Sequence, residues 1–419
     1  MTATRSLSYK LYPSPAQARA MEAKRRLLKD LWNAALEERI GAWRRGVRIR
    51  LSDQEMALKE IRPGVEGWRG LVHTHEAQGV LKRLELAFRA FFRRVAAGQT
   101  PGFPRFRSAQ RFRGWSYKEH GNGFRVEPRE GGSHGHATLF GVGRMRMRGR
   151  VRTPGRVLKA DVVKTVNGWM LNVVVATDCA ERAPARGPAA GLDWGVAEFA
   201  TLAIEGGGYE AVPNPRHLAT EAEAVKRDGR ALSAAARARK VSGRALRKHR
   251  RELARRHAKV AARRKDFLHK ASARLAARHR MIATETLTVR NMTASARGTA
   301  EAPGRNVAQK AGLNRSVLDT APATFLNMLR YKAEEAGTGF IDAPTRRLRP
   351  SQRCPGCGAL HKKRLDARRH DCACGCRLGR DEAAARVMLN HGLSVERGEP
   401  APLEQDHPAG TVGASRHVA

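Results

Sequence analysis

The sequence predicts a multidomain chain that combines α/β and α+β parts: a small N-terminal β-barrel into which a helical domain is inserted, then an α/β core interrupted by a cysteine-rich segment. Three observations predict it. Strand-like apolar alternation at residues 7–12 gives way to helical periodicity and resumes only beyond Gly102. Three acids, Asp193, Glu285 and Asp381, each stand at the end of a short apolar run or at the start of a helical one. Five of the six cysteines lie between Cys354 and Cys376.

Charge narrows the partners. The 419 residues carry 80 Lys plus Arg against 39 Asp plus Glu, a formal net charge of +41. A surplus of this size repels itself unless a polyanion neutralises it, and here it recurs along almost the whole length rather than in one solvated run. Nucleic acid is the expected partner. Residues 1–10 hold no apolar segment of signal-peptide length, and no uncharged apolar run approaches the roughly 20 residues of a membrane span. A cytoplasmic, nucleoid-associated protein is expected, and in that reducing setting clustered thiols indicate metal rather than disulfides. Cys179, at the end of an apolar strand, reads as inert packing.

Residues 7–12 alternate as a strand, and Pro13-Ser14-Pro15 opens a helical region. A helix over 16–46 follows from Met21, Leu27, Leu28, Leu31, Trp32, Ala35 and Leu36, which recur at three and four. Further helices are expected over 52–61, with Ser52 as N-cap, and over 75–95. These make 13–100 an inserted helical domain with a basic surface. Strand patterns at 137–139, 144–147, 157–163 and 169–176, together with the first strand, assign the barrel to 1–12 and 101–180.

Within the barrel, Arg111, Arg113, Trp115, Tyr117 and Lys118 interleave cations with aromatic rings. Such rings can stack on bases while the cations hold phosphates. They can equally be core positions of alternating strands, and both readings stand. Lys10 in the first strand joins the candidate contacts.

Residues 181–188 read as a linker, and 189–349 with 377–395 as the α/β core. Residues 190–203 read as a strand, a tight turn and a second strand, the strands around Leu192 and Thr201, followed by a turn at Gly206-Gly207-Gly208 and a third strand at 209–212. From 219 to 280 the chain reads as two helices broken near Ser242-Gly243. Leu246, Leu253, Val260 and Phe267 lie seven apart, which suggests a coiled hairpin. Its other face turns Lys248, Arg255, Arg256 and Arg263 toward nucleic acid. A strand at 281–285, helices at 311–320 and 322–336, a strand at 340–343 and a helix at 381–389 complete the core. Residues 396–419 have the composition of a disordered tail.

Each of the three acids has an ordinary reading: Asp193 a turn acid, Glu285 a surface acid, Asp381 a helix cap. If the two strands are neighbours and the helix crosses their ends, the carboxylates converge, and they then repel one another unless cations bridge them. Oxygen donors select Mg²⁺ or Mn²⁺, and two such ions can drive phosphodiester hydrolysis. That is the arrangement of a ribonuclease-H-like nuclease core. In 350–376, Cys354-Pro355-Gly356-Cys357-Gly358 is a knuckle that places two thiolates on one tetrahedral ion. Two of Cys372, Cys374 and Cys376 complete a structural Zn²⁺ site. Cys372 and Cys374 are preferred because Cys374, like Cys357, precedes Gly; Cys376 is the alternative, and His361 and His370 are possible substitutes.

An ordered set of stretches then carries a resemblance. It runs through Tyr9-Lys10-Leu11-Tyr12-Pro13, Trp32-Asn33-Ala34-Ala35-Leu36-Glu37, Gly191-Leu192-Asp193-Trp194-Gly195-Val196 and Asp266-Phe267-Leu268-His269-Lys270. It continues through Glu285-Thr286-Leu287-Thr288-Val289-Arg290-Asn291-Met292, Gly312-Leu313-Asn314-Arg315-Ser316, Tyr331-Lys332-Ala333-Glu334, and Ser351-Gln352-Arg353-Cys354 onward to Arg380-Asp381. The chain resembles the TnpB proteins of insertion sequences, RNA-guided DNA nucleases related to type V CRISPR effectors.

The resemblance implies that Asp193, Glu285 and Asp381 are the three acids of a RuvC nuclease site and that 350–376 is a zinc ribbon inserted before the third. It also implies that the barrel and its helices grip a guide RNA and read a short motif beside a double-stranded DNA target. Ala383 and Val387 stand where the family usually has Asn, Thr286 where it has Asp, and Trp194 is bulkier than the usual aliphatic residue. Two other functions remain as alternatives: a nuclease-weak RNA-guided DNA-binding regulator, and a DNA-strand-transferring transposase. The intact acids weigh against the first, and the lack of an evident Tyr or Ser nucleophile weighs against the second.

Overall fold

Apolar alternation builds the first sheet. The chain enters through β1 (Thr2–Tyr12) and leaves it for α1 (Pro15–Arg44), α2 (Leu51–Gly64) and α3 (Thr74–Ala96). It returns through β2 (Gly114–Tyr117), β3 (Phe124–Glu127), β4 (His134–Leu139), β5 (Gly143–Arg148), β6 (Arg156–Thr165) and β7 (Gly168–Asp178). The computed structural model describes residues 2–129, 134–148, 155–178, 185–238, 242–364 and 367–399, in two units, 1–180 and 181–419. Cys179, half of the 181–188 linker and nearly all of the 396–419 tail lie outside the described residues.

The seven strands of the first unit are ordered β2-β6-β7-β1-β5-β4-β3, with every neighbouring pair antiparallel. In β7, Trp169, Leu171, Val173 and Val175 are buried at every second position, and Tyr9 of β1 lies opposite Leu171. This sets one face of the sheet inward. The edge strands β2 and β3 are consecutive in sequence, and the Tyr117 and Phe124 rings are 5.3 Å apart. The sheet therefore curls into a nearly closed barrel.

Trp115 and Tyr117 belong to this core. Each is 1% exposed, and Trp115 packs 5.6 Å from Trp169. Of the two readings their interleaving with cations allows, base stacking is corrected and the core reading holds: both rings lie on the inward face of β2.

The helices dock through polar as well as apolar contacts. Ser14 caps α1 in a reciprocal pair with Gln17, and Met21, Leu28, Trp32 and Leu36 form its buried stripe. The α2 cap is Arg50, whose backbone N–H donates to Asp53 at 2.7 Å; Ser52, the expected cap, lies inside the helix because the helix begins at Leu51. Lys24 of α1 meets Glu76 of α3 at 2.7 Å with both side chains fully buried, and it also donates to the Phe140 carbonyl at 2.5 Å. Burial pushes the Lys24 ammonium down and the Glu76 carboxyl up, so desolvation outweighs their mutual attraction.

The second unit comprises β8 (Ala190–Trp194), β9 (Glu198–Ile204), β10 (Tyr209–Pro213), α4 (His217–Thr220), α5 (Ala222–Arg237), α6 (Gly243–Arg278), β11 (Met281–Glu285) and α7 (Val289–Met292). It continues with α8 (Val307–Thr320), α9 (Pro322–Ala336), β12 (Gly339–Ala343), α10 (Thr345–Leu348), β13 (Arg369–Asp371), β14 (Arg377–Gly379) and α11 (Arg380–Glu396). Its main sheet is ordered β10-β9-β8-β11-β12: β9 is antiparallel to both β10 and β8, and β8, β11 and β12 run parallel.

One face of this sheet packs Leu192, Phe199 and Ile282 against Leu268 and Leu275 of α6 and Phe325 and Leu329 of α9. The other packs Ala203, Met281 and Ala283 against Ala385 and Leu389 of α11. Each large apolar side chain buried this way contributes about 1.5–3 kcal/mol. The helices α5 and α6 pair as an antiparallel hairpin, with Ser242 capping α6. Among the described residues, no helix is long and apolar enough to cross a membrane.

Removing one member of the buried Lys24–Glu76 pair leaves the other charge without compensation. Glu76→Ala is expected to cost about 3–5 kcal/mol. The double change Lys24→Met with Glu76→Gln removes both charges, keeps an acceptor for the His73 N–H and should cost less than the single. Denaturant unfolding of the full chain orders the two, and equal losses would show that charge compensation is not what the pair supplies.

Candidate functional site

Strand parity decides which side chains meet. Gly191 and Asp193 share one face of β8, while Ala190 and Leu192 pack on the other. Parallel pairing sets Gly191 beside Ala283 of β11, so Met281, Ala283 and Glu285 turn to the same side as Asp193. Thr201 of β9 lies directly opposite Asp193 and is 7% exposed. The two strand-end acids therefore stand at one end of one sheet face, and α11 runs across that face.

That helix lies close because glycine lets it. A Cβ on Gly191 would fall 2.1 Å from the Ala385 carbonyl oxygen and 2.2 Å from the Leu389 nitrogen. A Cβ on Gly392 would fall 2.7 Å from the Ala283 Cβ. Backbone meets backbone at the first point and helix meets strand at the second, with Ala383, Ala384 and Ala385 buried alongside. The N-terminus of α11 is fixed by Glu382, whose carboxylate accepts the Gly379 N–H at 2.8 Å. Asp381 sits in the same first turn.

Electrostatics registers the result. The Asp193 carboxyl is pushed well above the usual range, first by burial and then by the charges of Glu285 and Asp381, with Arg380 opposing. Burial raises Glu285 to about 7. The structure thus brings Asp193, Glu285 and Asp381 into one electrostatic cluster. Among the described residues, the groups of donors that all lie within 4.8 Å of one another contain thiols, so at least one pair of these carboxylates is further apart than that.

The thiols form a second cluster. Cys354 and Cys357 come from the loop after α10, and Cys372, Cys374 and Cys376 from the turn between β13 and β14. The Cys354 and Cys374 sulfurs are 3.6 Å apart, as are those of Cys357 and Cys372. Tetrahedral zinc with Zn–S bonds of about 2.3 Å separates its sulfurs by about 3.8 Å. The four ligand atoms all lie within 4.8 Å of one another, and Cys354 also groups with His370 and Cys376. The backbone at Cys376 and the Cys372 side chain lower the Cys374 thiol to about 7, which favours the thiolate that metals bind.

The other candidates scatter. Arg111, Arg113, Lys248 and Arg255 are exposed, and Lys118 is exposed but donates to Gln78 at 2.8 Å. Lys10 is half-buried with its ammonium 5.4 Å from the centre of the Tyr12 ring. Arg256 departs from the expectation: it is half-buried and bonds Asp228 at 2.6 Å and Glu221 at 3.3 Å, so internal acids already claim it. Arg263 bonds the same Glu221 at 3.1 Å but stays exposed. Sequence reasoning missed Arg380, Glu382 and Gly392. The first two had a signal in their adjacency to Asp381; nothing in the sequence marks Gly392 as a helix–strand contact.

Comparison with known proteins adds lineage to this geometry. A family model described as a probable transposase matches residues 172–296, and one described as the Cas12f1-like TNB domain matches 323–388. An Escherichia coli (strain K12) protein named "Putative RNA-guided DNA endonuclease InsQ" is 32% identical over 337 residues, covering 78% of each chain. The chain belongs to the TnpB family. A Streptomyces pristinaespiralis relative named "Putative RNA-guided DNA endonuclease" is 29% identical to this TnpB-family chain over 402 residues, covering 93% of it and 90% of the relative. The fold is similar to that of the protein in a structure described as a Cas12f1-sgRNA-target DNA complex, with TM-score 0.57 at 12% identity, covering 93% of this chain and 99% of that one.

Gly191→Ala puts a methyl group into backbone atoms that no rotamer change can move. It is expected to destabilise the second unit by about 3 kcal/mol. Gly229→Ala in α5, where a Cβ meets nothing within 4 Å, should instead stabilise by about 0.5–1 kcal/mol. Thermal denaturation of both variants checks the contrast, and a tolerated Gly191→Ala would remove close approach as the reason for glycine there.

Proposed function

We propose that this chain is an RNA-guided DNA endonuclease encoded with an insertion sequence, and that Asp193, Glu285 and Asp381 form its nuclease site. The observation that carries the reading is the convergence of these acids from two neighbouring strands and a crossing helix. The strand order β10-β9-β8-β11-β12, antiparallel on one side of β8 and parallel on the other, supports a ribonuclease-H-like RuvC core. The names of the two relatives support the activity, and the surplus of 41 positive charges supports RNA and DNA as partners.

On this reading, 1–12 and 101–180 form the barrel, 13–100 the inserted recognition helices, 189–349 with 377–395 the nuclease domain, and 350–376 a zinc ribbon. Cys354, Cys357, Cys372 and Cys374 hold one structural Zn²⁺.

The acid cluster fits divalent cations of the Mg²⁺ or Mn²⁺ class. Its donors are all oxygen, and Asp193, raised first by burial and then by the charges of Glu285 and Asp381, is a carboxyl whose charged form cations would favour. On this reading the three carboxylates hold two ions. When bound, such ions supply positive charge and Lewis acidity to a phosphodiester. The chain's own residues supply the rest: β8 and β11 hold two carboxylates rigidly at one sheet end, and the capped first turn of α11 holds the third. Ala383 and Val387, 0% and 3% exposed, face the packed interior, so neither substitution removes an oxygen donor from the site.

Purified protein with its copurifying RNA, incubated with matched DNA and Mg²⁺, should cut. Asp193→Ala should reduce the rate at least a thousandfold while leaving DNA binding in place. Undiminished cutting by that variant would overturn the assignment.

The raised Glu285 carboxyl gives a separate, metal-free readout. It titrates at about 7 in the folded chain against an ordinary value of 4.5. The folded state therefore binds the extra proton between those values, and stability falls as pH rises from 4.5 toward 7, by on the order of 3 kcal/mol in full. Glu285→Gln should raise the metal-free melting temperature at pH 8 and leave it nearly unchanged at pH 4. Mg²⁺ should narrow the gap at pH 8 by stabilising the parent protein. A pH-independent difference would contradict the account.

A further inference from the structure

The fifth cysteine and two histidines are left over by a four-thiol site, and of the two His361 already meets the Cys372 sulfur at 3.2 Å. Cys376 is not among the four sulfurs grouped together, and His370 is 0% exposed with no hydrogen-bond partner on either ring nitrogen. A buried imidazole in this condition forgoes about 1–3 kcal/mol for each unsatisfied polar atom, and an unplaced ion is one of the standard reasons for such a group. Its ring nitrogen, the Cys376 sulfur and the Cys354 sulfur all lie within 4.8 Å of one another.

We propose that Cys354, His370 and Cys376 form a second, reserve seat for the same borderline-soft divalent ion, sharing Cys354 with the four-thiol seat. This rests on the reading that the thiol cluster holds zinc. Thiolate and imidazole are the donors zinc accepts most often. The four-thiol seat outcompetes the reserve, because it offers four protein donors against three. The shared Cys354 is 1% exposed and anchors both.

The first knuckle is built to leave Cys376 close. A Cβ on Gly356 would meet the Cys376 Cβ at 3.5 Å, the Cys374 sulfur at 3.6 Å and the Cys354 sulfur at 3.8 Å. The Cys372 N–H donates to the Cys376 carbonyl at 3.1 Å, holding the turn so that Cys374 and Cys376 both stay near Cys354. Loss of one of the outer thiols, Cys357 or Cys374, both exposed, would then move the ion toward the buried donors instead of releasing it.

The test uses the full chain loaded with zinc, with metal analysis and X-ray absorption as readouts that do not depend on nuclease activity. The parent protein should bind one ion per chain in an all-sulfur shell, and Cys376→Ser should leave that shell unchanged. Cys374→Ser should still bind one ion, now with imidazole scattering in its shell, and adding Cys376→Ser should weaken binding at least a further tenfold. Cys357→Ser, which removes a donor from the other knuckle, gives the same comparison if Cys374→Ser does not fold. A shell without nitrogen in both single variants, a double variant that binds as well as its parent single, or two ions in the parent protein would each overturn the reserve seat. A parent protein that binds no ion would overturn the zinc reading as well.

Discussion

The contact between α11 and β8 at Gly191 is the constraint on which the rest of the second unit depends. A helix normally stands off a sheet by the length of the side chains between them. Here there is none at the crossing point, so the helix backbone rests on the strand. That closeness has a direct electrostatic consequence. It carries the first turn of α11, with Asp381, over the end of the sheet where Asp193 and Glu285 already face the same way. The Asp193 carboxyl is raised first by its burial and then by the charges of Glu285 and Asp381. Cations seated among these oxygen donors would offset that repulsion.

Charge is handled differently elsewhere in the unit. In the α5–α6 hairpin a single acid, Glu221, holds Arg256, Lys259 and Arg263 within 3.3 Å. Asp319 holds Arg264 and also accepts the Leu218 N–H. The few acids of a strongly basic chain are thus spent on positioning cations internally. Each exposed pair contributes little alone, but an acid that gathers several cations fixes the register of two helices. The cations left on the outer face, such as Lys248 and Arg255, remain available to a polyanion.

Much of this was legible in the sequence, and the parts that were not share a cause. The strand at 281–285 and the helix at 322–336 match the observed bounds, because unbroken apolar runs and a first-turn Pro are strong local signals. The three acids were readable as a set because each ended or began such an element. Trp115 and Tyr117 were not resolvable, since an aromatic at every second position looks the same whether it faces a core or a base. Ser52 was misplaced as a cap by a helix that starts one residue early and recruits Asp53. Arg256 looked like its neighbours along the helix, and only the partner helix reveals that its donors are taken. In each of these cases the deciding fact is which neighbour the fold supplies. That is tertiary information, which local pattern does not carry.

The two clusters are also mechanically joined. Strand β14 ends at Gly379, which is both the register partner of Arg369 in β13 and the cap residue of α11. The Arg380 N–H donates to the Arg368 carbonyl at 2.9 Å, and its guanidinium donates to the Arg364 carbonyl at 2.9 Å. About three turns further along, Asn390 of α11 donates to the Pro355 carbonyl in the first knuckle at 3.0 Å. The thiol hairpin therefore grips α11 at its start and again along its length. An ion that closed the knuckles would restrain both grips, and with them the turn that carries Asp381. A small cysteine-rich segment inserted at this point in the chain need not touch a substrate to matter for the acid cluster: its contacts fix the helix that carries Asp381.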